Sequence, residues 1–206
     1  MFAQPETTEV VCVDDCSRDG TRETLAAMAE EYGPRLKVVL HEKNGGKGKA
    51  LRTGFAHVAC DVTLVQDADL EYDPRDYPAL MRPFADGGAE VVYGSRYLGH
   101  EADSLWHVVG NKSITLLSNI CTRQHLTDME TCYKAFRTKL LRSLALRQDR
   151  FGWDPEVTAL VARRGVAIRE VPIGYKARSY EEGKKIRLKD LFRVVGVILQ
   201  RGLLGL

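Results

Sequence analysis

At 206 residues the chain has room for one α/β domain with a sizeable core. Lys plus Arg is 30 and Asp plus Glu is 28, so a net charge of +2 excludes a whole-molecule field for nucleic acid, and any anionic ligand must be recognised locally. The five cysteines (Cys12, Cys16, Cys60, Cys121 and Cys132) form no CxxC pair and read as reduced thiols of a cytoplasmic protein. The start, MFAQPETTEV, has no apolar signal region, and no apolar run approaches the roughly 18 residues of a membrane span.

Val10 to Val13 predicts a short strand that ends at Asp14 and Asp15. Ser17 and Asp19 then offer caps for a helix carrying Leu25, Met28 and Ala29 at helical spacing, stopped by Gly33-Pro34. Leu36 to Leu40 is a second strand, and Gly48 to Val58 is a helix behind a glycine-rich turn. Val62 to Val65 is a strand, Pro74 opens a helix, and Val91 to Tyr93 is a strand. Residues 105–125 read as helical, Tyr133 to Phe136 as a strand, Asp154 to Arg164 as a helix and VAIREVPI as a strand. Strands separated by helices of this length predict an α/β fold with a doubly wound, mostly parallel sheet and flanking helices.

Ligands of such sheets bind beyond the carboxyl ends of the strands. Two strands end there in acidic pairs, Asp14-Asp15 and Asp67-x-Asp69. Alternate carboxylates around a small Ala68 suit Mg²⁺ or Mn²⁺, or simply a capped turn. Asp73 before Pro74 reads as a helix cap. NGGKGKALRTGF, Asn44 to Phe55, places Lys47, Lys49 and Arg52 at a helix start, where phosphate can be received; a solvated basic face is the plainer alternative. It meets neither the Walker A nor the GxGxxG pattern. Asp14 and Asp15 could accept hydrogen bonds from a base or ribose.

These pieces, together with YGSRYLG, TDMETCYKAFR, FGWDPEVTALVARRG and REVPIGYKARSYEEGKKI, resemble the GT-A fold glycosyltransferases of family 2 from Val10 to Asp190. The subgroup they most resemble makes polyprenyl- or dolichyl-phosphate mannose or glucose. The resemblance implies that Asp67 and Asp69, with Glu71, hold the metal, and that Asp14, Asp15, Lys47, Lys49 and Asp67 bind the donor nucleotide. It implies Arg96 near the donor or the acceptor phosphate, Asp128 near the sugar as a candidate catalytic carboxylate, and Arg178, Lys184 and Lys185 in a basic loop over the acceptor phosphate. The donor would be GDP-mannose or UDP-glucose and the acceptor a lipid phosphate. An acceptor that is already an anion needs no strong base, so Asp128 could position or stabilise. On the bland readings Asp128 caps a turn, Arg96 makes a structural ion pair, and Tyr93, Trp106 and Trp153 are packing residues.

Residues 1–186 are expected to form the transferase domain, shortened relative to the family by one strand and a P-x-Y-N-E-like stretch. Poor nucleotide binding is therefore expected unless something replaces that strand. In residues 187–206, Leu188, Leu191, Phe192, Val195, Ile198 and Leu199 share a helical face beside Arg187, Lys189, Arg193 and Arg201. This helix suits either peripheral contact with an anionic membrane, at its cytoplasmic face, or packing on its own domain. Other classes are a non-catalytic scaffold derived from the transferase fold, a nucleotidyltransferase, and a receiver domain, which leaves the residues after YGSRY without a role.

Overall fold

The structure, a computed structural model, describes residues 1–98, 105–150, 152–176 and 188–203. Strands β1 (Val10–Asp14), β2 (Leu36–Leu40), β3 (Val62–Leu64), β4 (Val91–Ser95), β5 (Lys134–Arg137) and β6 (Ile168–Pro172) alternate with helices. These are α1 (Thr21–Tyr32), α2 (Lys47–His57), α3 (Tyr77–Ala85), α4 (Leu105–Thr122), α5 (Thr138–Ser143), α6 (Trp153–Arg163) and α7 (Leu188–Val197). The α/β class follows the expected alternation. Pro74 opens a short 3₁₀ turn, Pro74–Asp76, that leads into α3, and Asp73 caps it by accepting from the Arg75 N–H at 2.9 Å. The short helix α5 was not visible in the sequence pattern, because six residues span too few turns to show a period.

Strands β1 and β2 pair in parallel, Val10 opposite Leu36 and Asp14 opposite Leu40. The other four run in the order β3-β5-β4-β6, where β4 and β6 are parallel. Strand β5 starts one residue later than expected and is antiparallel to both β3 and β4. Its direction reverses because TDMETC brings the chain back across the ends of β3 and β4 before β5 begins.

The core gathers on β4 and β5. Val91, Val92, Tyr93, Ala135 and Phe136 are fully buried, and α3 (Leu80, Phe84) and α6 (Trp153, Val157, Val161) pack against them. Tyr93 and Trp153 are thus packing residues, as the bland reading had it; the side chain of Trp106 lies outside the described residues. Gly94 is required at the β4–β6 contact, because a Cβ there would lie 2.7 Å from Ile173 Cγ2. Lys134 is buried on β5, where it pairs with Asp154 and faces the rings of Tyr93 (5.0 Å) and Trp153 (5.4 Å). All five cysteines are free thiols.

The C-terminal helix packs on its own domain through Val194, Val197 and Ile198, and a wider π-type turn continues over Ile198–Leu203. Phe192 and Leu199, from the expected apolar face, stay exposed. No helix among the described residues is long and apolar enough to cross a membrane.

Among the described residues, β1 and β2 form a two-stranded sheet of their own, and Val10 to Val13 are only half-buried. Two strands alone are marginally stable, whereas β4 is bonded on both sides. Amides of β1 and β2 are therefore expected to exchange with solvent about tenfold faster or more than those of β4 and β5. Hydrogen exchange read by mass spectrometry checks this.

Candidate active site

The strand ends collect the charged groups. At the end of β1, Asp14 is buried and accepts from Ser17 N–H (3.1 Å) and Arg22 Nε (2.8 Å). The Ser17 hydrogen bond, helped by Arg22 and opposed by burial, holds the Asp14 carboxyl below its usual range. Asp15 accepts from His41 Nδ1 (2.8 Å), Gly45 N–H (2.8 Å) and Gly46 N–H (2.6 Å). Burial works against the Asp15 charge, but the Gly45, His41 and Gly46 hydrogen bonds outweigh it and lower its pKa. Both carboxylates are therefore already engaged: Asp14 fixes the turn into α1, and Asp15 fixes the glycine-rich turn ahead of α2.

That turn is clamped from the other side by residues 148–150, a contact with no local signature in the sequence. Asp149 C=O accepts from Lys49 N–H at 3.1 Å, and Gln148 C=O accepts from Arg52 Nη1 at 2.6 Å. The buried Glu156 holds this loop by accepting from Arg147 N–H (2.9 Å) and Gln148 N–H (2.8 Å), and its other oxygen takes Arg201 Nη2 at 2.9 Å. Gly46 has φ +89°, and a Cβ there would lie 2.6 Å from Asp149 O. Gly46→Ala combines left-handed backbone strain with a backbone clash, and is expected to destabilise the fold by about 2–4 kcal/mol. Urea unfolding of the variant measures it.

Past β3 the chain turns at Asp67-Ala68-Asp69-Leu70-Glu71. Asp67 Oδ2 accepts from Lys47 Nζ at 2.7 Å, so the first residue of α2 reaches the DxD segment. Asp69 Oδ1 accepts from Glu71 N–H at 3.2 Å, and Glu71 C=O accepts from Lys176 N–H at 2.9 Å. Leu70 has φ +61° and is 89% exposed, a strained backbone with no packing of its side chain to compensate it. Among the described residues no three His, Cys, Asp or Glu side chains converge as a metal cluster. Asp67, Asp69 and Glu71 lie along one turn, and the positive charge beside Asp67 is the Lys47 ammonium.

Segment 127–132 joins this turn to the end of β4. Cys132 Sγ lies 3.2 Å from Asp67 N, and Cys132 N–H donates to Tyr72 Oη at 3.1 Å. Asp128 is fully buried and takes Arg96 as a bidentate partner: Nε to Oδ2 and Nη2 to Oδ1, each at 2.7 Å. Arg96 N–H also donates to Oδ2 at 3.2 Å, and the guanidinium lies 5.0 Å from the Tyr175 ring centre. Burial opposes the Arg96 charge, but the Asp128 hydrogen bonds and nearby negative charge raise its pKa. Behind the pair, Glu170 of β6 accepts from Thr127 N–H (2.7 Å) and Asp128 N–H (3.0 Å). Glu170 could have been read from the sequence: alternation along IREVP puts it on the same inward face as Ile168.

Of the residues expected in the site, the structure brings Lys47 onto Asp67 and Arg96 onto Asp128, and segment 127–132 joins the two pairs, Asp128 in one and Cys132 against Asp67. Lys49 is exposed on α2. Arg178, Lys184 and Lys185 lie outside the described residues.

Acidic strand ends, a basic start to α2 and a buried Arg–Asp pair lie on the α/β sheet where an anionic ligand could be met. The family described as Glycosyl transferase family 2 matches residues 1–145, and the chain belongs to it. Over 176 residues, 85% of the chain, it is 29% identical to the undecaprenyl-phosphate 4-deoxy-4-formamido-L-arabinose transferase of Klebsiella pneumoniae, and 28% identical to that of Salmonella paratyphi B. It spans about half the length of these relatives (52%). The fold matches that of glucosyl-3-phosphoglycerate synthase from Mycobacterium tuberculosis in complex with UDP. The TM-score is 0.71 at 21% identity, over 93% of this chain and 68% of that one. The same enzyme with Mn²⁺ and UDP-glucose matches at TM-score 0.68, 22% identity, over 93% of this chain and 67% of that one. The fold is therefore the GT-A fold.

Proposed function

We propose that residues 1–186 move a hexose or a related pyranose from a nucleotide sugar to a polyprenyl or dolichyl phosphate, with inversion at C1. The observation that supports this best is the joining of two charge pairs by one segment. Lys47–Asp67 stands at the end of β3 and Arg96–Asp128 at the end of β4, and residues 127–132 touch both. A departing diphosphate and an attacking phosphate both carry negative charge that these cations can stabilise.

Asp67 and Asp69, with Glu71 beside them, are hard oxygen donors of the kind that suit Mg²⁺ or Mn²⁺, and they are the residues that would hold such an ion. A bound ion would supply positive charge against the diphosphate. Lys47 and Lys49 stand at the start of α2 for the same diphosphate, and Asp14 and Asp15 shape the turn beside which the nucleotide lies. Arg96 attracts the acceptor phosphate together with Arg178, Lys184 and Lys185, and Asp128 fixes the Arg96 fork. The bond from C1 to the diphosphate oxygen breaks as C1 bonds to a phosphate oxygen. That oxygen is already ionised, so no proton has to be removed and Asp128, locked on Arg96, is not required as a base. UDP-glucose in the structural neighbour favours a UDP-sugar over GDP-mannose.

Residues 187–206 would contribute peripheral membrane contact. Phe192 and Leu199 are exposed near Arg193, and the α4 stripe Val109, Leu116 and Ile120 adds exposed apolar area. The test is an acceptor comparison: with UDP-glucose and Mn²⁺, polyprenyl phosphate should accept sugar and the corresponding polyprenol should not. Equal transfer to both would overturn the anionic-acceptor reading.

A further inference from the structure

Glu130 is not used by any contact described above. Its backbone is fixed on both sides: Met129 N–H donates to Thr115 Oγ1 (3.1 Å) and Cys132 N–H to Tyr72 Oη (3.1 Å). Its carboxyl Oε1 is buried and has no hydrogen-bond partner among the described residues. It is the only carboxylate oxygen among them in that state, and the next residue carries another partnerless buried atom, Thr131 Oγ1. Burial and then the negative charge of Asp154 push the Glu130 pKa up to about 8, against Lys134, Arg96 and Lys47. After Asp154 and Lys134, the groups acting on it are the cations of both charge pairs of the site.

A buried carboxyl oxygen left without a partner costs stability, and a ligand that supplies the missing partner relieves that cost. Phosphate has Lys47 and Arg96 to meet it, which leaves the Glu130 carboxyl for an uncharged group of the ligand. A sugar hydroxyl is such a group, and the sugar must lie between the diphosphate near Lys47 and the acceptor phosphate near Arg96. We propose that Glu130 is a specificity-determining residue that accepts a hydrogen bond from one hydroxyl of the donor sugar. This rests on the reading of the site as a nucleotide-sugar site. No hydrogen bond tethers Oε1, so turning it toward the hydroxyl breaks nothing, and the new bond relieves its unpaired burial.

The experiment uses the full chain, Mn²⁺, and millimolar UDP, UDP-glucose and the four monodeoxy analogues of UDP-glucose, with affinities read by ligand-observed NMR and by thermal shift. In the parent, one analogue should bind about tenfold more weakly than UDP-glucose; in Glu130→Met the two should agree within about twofold, with UDP affinity unchanged. Glu130→Met without ligand should melt at or above the parent temperature, because it removes an uncompensated buried acid. The proposal is overturned if both proteins discriminate alike at every position, or if the variant melts below the parent and loses UDP as well. Should UDP itself fail to bind the parent, the nucleotide-sugar reading falls and takes this proposal with it, an outcome distinct from UDP binding with no role for Glu130.

Discussion

Arg96→Ala is expected to unfold more easily by about 3–5 kcal/mol and to lose transfer activity together with stability. The reason is the state it leaves behind. Asp128 is fully buried, and three hydrogen bonds from Arg96 satisfy its two oxygens. Two of those bonds disappear with the guanidinium, and an ionised carboxylate remains out of water. For a chain of this size the melting temperature should fall by roughly 10 °C. The double variant Arg96→Met, Asp128→Leu separates the two roles of the pair. With both charges gone and apolar volume in their place, most of the stability should return, because no buried charge is left unpaired. Activity should not return, since the cation proposed to meet the acceptor phosphate is still absent. Full activity in the folded double variant would show that the pair is structural only.

Asp69→Ala is expected to leave the fold intact and to lower transfer by about 10²–10³-fold, the scale on which one stabilising group at a developing charge contributes. Asp69 is half-buried on a surface turn, and the bond it accepts from Glu71 N–H at 3.2 Å is local to that turn, so the structural loss is small. Lys47–Asp67 stays in place, so affinity for nucleotide without metal should change little. Steady-state kinetics across a Mn²⁺ series, with circular dichroism as a check on folding, reads both parts. An Asp69→Ala protein with parental turnover would remove the metal from the account.

The elements that were legible in the sequence are those whose pattern repeats within a few residues. VVCVD and LKVVL are apolar runs ending at turn signals, and they form β1 and β2 within a residue of the expected ends. The cap at Asp73 was readable because capping is local, a side-chain oxygen meeting an N–H two residues on. What stayed hidden depends on residues distant in the chain. Nothing in KAFR says that β5 runs against its neighbours, since direction is set by where 127–132 re-enters the sheet. The clamp of residues 148–150 on the glycine-rich turn joins positions about a hundred apart, held by a glutamate whose role only its two backbone partners reveal.

The site divides in the same way. Asp67, Asp69 and Lys47 were marked by strand ends and a helix start, and the structure puts Lys47 on Asp67. Asp128 was marked only by resemblance, and its fully buried, bidentate pairing makes it the holder of Arg96 rather than a free carboxylate. Glu130, two residues on, carries no local signature; it stands out because its Oε1 is buried and unpaired while the Asp128 carboxylate is fully paired.

The claim that this domain transfers sugar from a nucleotide to a lipid phosphate is tested most directly by isolating the product. The chain is incubated with UDP-glucose, undecaprenyl phosphate and Mn²⁺, and the organic phase is analysed for a glycosyl phosphoryl polyprenol. The account predicts that product, with the anomeric configuration inverted relative to the donor, and its loss on chelation and in Asp69→Ala. Sugar released only into water, or a lipid product that forms equally without divalent metal and with Asp69→Ala, would contradict it.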